Sequence, residues 1–65
     1  MDEIDRCEEI ITIGQKTIGW GVGENGPFVI VLDGETQTYK ANPFTRRGAR
    51  RLFNKIKEME QRKGT

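Results

Sequence analysis

The sequence predicts an α+β fold, a three- or four-stranded antiparallel β-meander with one C-terminal amphipathic α-helix packed on one sheet face. Three observations carry this reading. Asp33-Gly34 separates two segments suited to strands, and Asn25-Gly26 precedes the first of them. Both dipeptides favour tight hairpin turns. From Arg46 onward the apolar residues recur with the period of a helix rather than a strand.

The strands are expected at about 9–13, 17–23, 28–32 and 35–41, the first being marked only by Gly14-Gln15 after it. Pro27 suits a strand start, where a missing N–H is tolerated. Two-residue loops at Asn25-Gly26 and Asp33-Gly34 would pair Val22 with Val29, Trp20 with Val31, Phe28 with Tyr39 and Ile30 with Gln37. Side chains alternate between faces. One face then carries Ile11, Ile13, Ile18, Trp20, Val22, Val29 and Val31, and is assigned to the core. The other carries Gly19, Gly21, Gly23, Phe28, Ile30, Leu32 and Tyr39.

The helix is expected at about 46–63. Pro43 holds Asn42 extended, and Thr45 is a good N-cap. Phe44 before the cap is expected to fold back on Ala49 as a hydrophobic staple. Ala49, Leu52, Phe53, Ile56 and Met59 span roughly 120° of the helix and form one core-facing stripe. Arg62 and Lys63 suit the negative helix end, and Gly64 is a natural stop.

A chain of 65 residues makes one domain at most. It buries only about 60% of its unfolded surface, so help from a partner or a second copy would add stability. Cys7 is the only cysteine, which excludes an internal disulfide and favours a cytoplasmic setting. No signal peptide or membrane-spanning run is evident. The chain has no histidine and no serine, so a Ser-His or Cys-His nucleophile pair cannot be built. No metal-ligand cluster is apparent, and neither enzymatic activity nor a cofactor is expected. Gly19–Gly26 is glycine-rich but lacks the Gly-Lys-Ser/Thr of a phosphate loop and the helix that should follow one. Its alternate glycines fit a strand that another backbone approaches closely.

The net charge of +1 conceals a polar division. Residues 1–8 form an acidic arm expected to be flexible, and residues 9–63 the folded domain. Asp2, Glu3, Asp5, Glu8 and Glu9 face a single Arg6 at the N-terminus. Residues 46–57 hold Arg46, Arg47, Arg50, Arg51, Lys55 and Lys57 and no acid. The two ends either neutralise each other or leave a cationic face. Arginines in a first helical turn oppose the helix dipole, and Gly48 costs about 1 kcal/mol relative to alanine. A sequence selected for folding alone would place acids here. Thr45, Arg46, Arg47, Gly48, Arg50, Arg51 and Lys55 are therefore the candidate phosphate-binding residues. Phe28 and Tyr39, expected as cross-strand neighbours, are candidates for base stacking or partner contact.

A small non-enzymatic nucleic-acid-binding module, most simply for DNA, is the first functional expectation. The layout resembles that of integrase arm-binding and plant AP2 domains, which place a sheet in a DNA groove. None of their motifs occurs here, so the likeness is of layout alone. The alternative is a protein-binding regulator or inhibitor of the kind found in phages and mobile elements. It would act through a sheet face or edge, and both faces of Phe28–Leu32 are apolar enough for a homodimer.

Overall fold

Three glycines with positive φ set the turns that build the sheet: Gly14 (62°), Gly26 (98°) and Gly34 (64°). The computed structural model describes residues 6–63. It contains β1 (Cys7–Ile13), β2 (Lys16–Gly23), β3 (Gly26–Asp33), β4 (Thr36–Ala41) and α1 (Arg46–Lys63). The strands form one antiparallel sheet in the order β1-β2-β3-β4, the expected meander, and the helix packs against it. Cys7 and Glu8, assigned to the arm from sequence, belong to β1. The rest of the arm, apart from Arg6, and the helix stop at Gly64 lie outside the described residues.

Two turns sit one residue away from their expected places. Gly23 pairs with Gly26, so the loop is Glu24-Asn25 and the left-handed glycine follows it. Asp33 pairs with Thr36, so the loop is Gly34-Glu35 and the left-handed glycine opens it. Moving a turn by one residue changes each partner by two and preserves the faces. Trp20 pairs with Val29, and Val22 with Pro27, yet the core face is the expected one. Between β3 and β4 a bulge intervenes. Leu32 pairs with Gln37 but Val31 pairs with Tyr39, which leaves Thr38 as the extra residue. This odd shift turns Tyr39 onto the helix side of the sheet, away from Phe28.

The core lies between the sheet and α1. Ile18, Trp20, Val29, Val31, Ala49 and Phe53 form its buried cluster, flanked by Ile11, Ile13, Leu52 and Ile56. Two expected core residues, Val22 and Met59, are instead exposed, and so is Phe44, the expected staple. Val22 lies one pair from a turn, outside the cluster. Met59 lies beside a groove between α1 and β4.

The middle of the second face is buried without a second helix. Gly19 and Gly21 leave β2 bare on this side, and the start of β1 closes onto it. A Cβ at Gly21 would come 2.5 Å from the Arg6 carbonyl oxygen and 2.9 Å from Cys7 Cα. A Cβ at Gly19 would meet Cys7 Sγ at 2.6 Å. Phe28 and Ile30 lie on the same bare side and are 1% and 4% exposed. Gly21 thus has the close backbone approach that the alternation predicts, whereas Gly19 makes room for a side chain. Gly21→Ala is expected to cost about 1–3 kcal/mol, because backbone must move. Gly19→Ala meets a side chain, so Cys7→Ala should rescue it. Thermal melts of the two single and two double variants check this, and rescue of Gly21→Ala by Cys7→Ala would refute it.

At its C-terminal end the helix is tied to the sheet by Lys16 Nζ, 3.1 Å from Glu60 Oε1. That hydrogen bond holds the Glu60 carboxyl below its ordinary value of 4.5; desolvation opposes the shift, while the charges of Lys16 and Lys63 assist it. A depressed carboxyl stabilises the fold fully above its unfolded pKa. The contribution disappears as pH falls through the folded one. The melting-temperature difference between wild type and Glu60→Gln should therefore be present at neutral pH and vanish in acid.

Candidate nucleic-acid interface

The start of α1 is fixed by its own cap. The Gly48 N–H donates to Thr45 Oγ1 at 2.9 Å, and the Ala49 N–H to the Thr45 carbonyl at 3.0 Å. A Cβ on Gly48 would come 3.2 Å from Thr45 Oγ1 and 3.4 Å from Pro43 Cβ. Gly48 therefore fits tightly under the cap. Thr45 and Gly48, expected among the phosphate contacts, have this local role in the structure.

Three arginines converge beside the cap. Arg46, Arg47 and Arg50 line an open hollow of about 330 Å³ together with Trp20. Two acids of β1 enter the same region. Arg46 grips Glu8 with two nitrogens, its Nε donating to Oε2 at 3.2 Å and its Nη2 to Oε1. Its guanidinium also lies 5.9 Å from the centre of the Trp20 ring. Trp20 Nε1 donates to Glu9 Oε1 at 3.3 Å, and Arg50 Nε stands 3.8 Å from that oxygen. The ring is 5% exposed, so Trp20 forms the floor of the hollow.

The charge balance is unequal. Glu8 and Glu9 offset two arginines, while Arg47 has no ion pair among the described residues. Arg51 and Lys55 also have none there, and both are exposed. All four groups in the two pairs are substantially exposed. Such pairs contribute about 0–1 kcal/mol each. The arginines can exchange carboxylate for another oxyanion at small cost.

The expected site residues do not all line one hollow. Arg46, Arg47 and Arg50 are brought together. Arg51 is one turn further along the helix, and Lys55 lines the separate groove towards β4. That groove, of about 350 Å³, is lined by Val31, Tyr39, Leu52, Ile56 and Met59 among others. Phe28 is buried and presents no ring for stacking, whereas Tyr39 is half-exposed on the opposite face. The anticipated aromatic pair does not exist, because the bulge in β4 separates it.

Sequence reasoning passed over Trp20 as a member of the site, and offered Glu9 and the acidic arm only as an alternative that neutralises the helix. Glu9 was recoverable. It stands two residues before Ile11 in the same strand and so faces the helix side. Glu8 was not, because its position depends on the register shift between Cys7 and Glu9.

Among the described residues, no group of three or more His, Cys, Asp or Glu could hold a metal ion. No described helix is long and apolar enough to cross a membrane. Comparison with protein-family models, curated proteins and solved structures gives no match.

Proposed function

We propose that this protein is a small non-enzymatic module that binds nucleic acid through the phosphate backbone. The observation that carries the proposal is the convergence of Arg46, Arg47 and Arg50 on one open hollow, where two carboxylates pair with them among the described residues. Arg51 extends the cationic surface along the helix. Guanidinium groups present planar forks of donors that match phosphate oxygens, and a rigid cap fixes the base from which they project. Glu8 and Glu9 hold two of the forks near the hollow until phosphate replaces them. The sheet contributes little charge, so the helix start rather than a sheet face carries the contact.

The test is a titration of a fluorescent oligonucleotide at several salt concentrations, with wild type and Arg47→Ala. Backbone binding predicts a steep loss of affinity with salt, and a loss of roughly one unit of log–log slope in the variant. Binding that ignores both salt and Arg47 would refute the proposal.

A second reading, a protein-binding regulator, draws on the apolar groove between α1 and β4. In its homodimeric form it requires a dimer by light scattering. A monomer would remove that form.

A further inference from the structure

Phe44 is the one large apolar side chain that the described fold leaves wholly in water, at 102% exposure. Its expected partner, Ala49, is already fully covered within the core cluster, so the ring has no cap contact to fold into. The segment that carries it is nevertheless anchored. Pro43 packs close to Gly48, and Thr45 holds two N–H groups of the first helical turn. Phe44 directly precedes that cap, and Arg46 and Arg47 directly follow it. The same end of the helix therefore presents an exposed ring, the Glu8-paired Arg46, and Arg47, which has no ion pair among the described residues.

That combination has a specific chemical match. Proteins that bind single strands pair cations along the backbone with aromatic rings on which unpaired bases stack. A duplex keeps its bases inside the stack and offers a lone surface ring only backbone. We infer that the preferred ligand is single-stranded nucleic acid, with one unpaired base stacked on Phe44 while Arg47 and its neighbours hold the adjacent phosphates. This rests on the phosphate-binding reading above and adds a ligand class and a contact residue to it. The hollow over Trp20 receives phosphate; Phe44 receives the base.

The experiment measures anisotropy of a labelled thymidine oligonucleotide and of a duplex of equal length. It compares wild type with Phe44→Ala, Phe44→Trp and Arg47→Ala, each first shown to melt like wild type. Wild type should prefer the single strand. Phe44→Ala should weaken single-strand binding by roughly 5- to 100-fold and leave duplex binding unchanged. Phe44→Trp should restore it. If Phe44→Ala binds the single strand like wild type while Arg47→Ala is weakened, the stacking inference fails and the phosphate reading stands. Equal weakening on both oligonucleotides would overturn the single-strand assignment. If Arg47→Ala has no effect, or neither oligonucleotide binds, both readings fail. A parallel titration with anionic phospholipid vesicles covers the membrane alternative. Dependence on Phe44 there, without dependence on the oligonucleotide, would overturn the inference.

Discussion

Phe53→Ala is expected to lower the melting temperature by at least about 12 °C. The Phe53 ring is 2% exposed and packs in the cluster of Ile18, Trp20, Val29, Val31 and Ala49. Removing a buried phenyl group costs about 3–5 kcal/mol, from lost burial and from the cavity left behind. At roughly 0.05–0.15 kcal/mol per residue, a domain of this size has about 3–10 kcal/mol in total. The loss is thus about a third of the stability or more, and thermal melts by circular dichroism read it. Phe44→Ala, at the exposed ring nearby in sequence, should melt like wild type. A cooperative melt for Phe53→Ala within a few degrees of wild type would show that the helix does not rest on the sheet as described.

The second large effect separates function from folding. The double variant Arg47→Glu with Arg51→Glu should lose nucleic-acid affinity by more than about 100-fold, because two attractive charges become repulsive. Neither residue has an ion pair among the described residues to lose. Arg47 stands in the first helical turn, where an acid interacts favourably with the dipole by about 0.3–1 kcal/mol. The melting temperature should therefore stay level or rise while binding collapses. An arginine selected for stability would show the opposite, a lower melting temperature with binding preserved.

The helix was legible in the sequence because its apolar stripe, cap and basic end all point to the same span. The core face was legible despite two misplaced turns. Each of those two moved by one residue, which changes pairing partners and keeps side-chain parity. Tyr39 was not legible, since the bulge at Thr38 is an odd shift that no local residue type announces. Phe44 was misread for a different reason. The staple rule considers which residues could touch, whereas the sheet had already covered Ala49. At the candidate site the arginines were visible as a departure from helix-end electrostatics. Their division into paired and unpaired members was not, because Glu8 reaches Arg46 only after β1 has bulged and closed over β2. Gly48 shows that one departure from helix propensity can have a purely local cause. Its lack of a side chain relieves crowding under Thr45 and Pro43.

A cationic surface exists in a chain of net charge +1 because Arg47, Arg51 and Lys55 have no ion pair among the described residues. Acids of β1 hold Arg46 and Arg50 without burying them, and in the proposed function phosphate takes their place. The salt dependence of oligonucleotide binding tests this most directly. Three phosphate contacts predict that log affinity falls linearly with log salt, with a slope of about −2 or steeper. Arg47→Ala should make that slope shallower by roughly 0.7–0.9. A slope near zero, or one that Arg47→Ala leaves unchanged, would contradict binding through the arginine cluster.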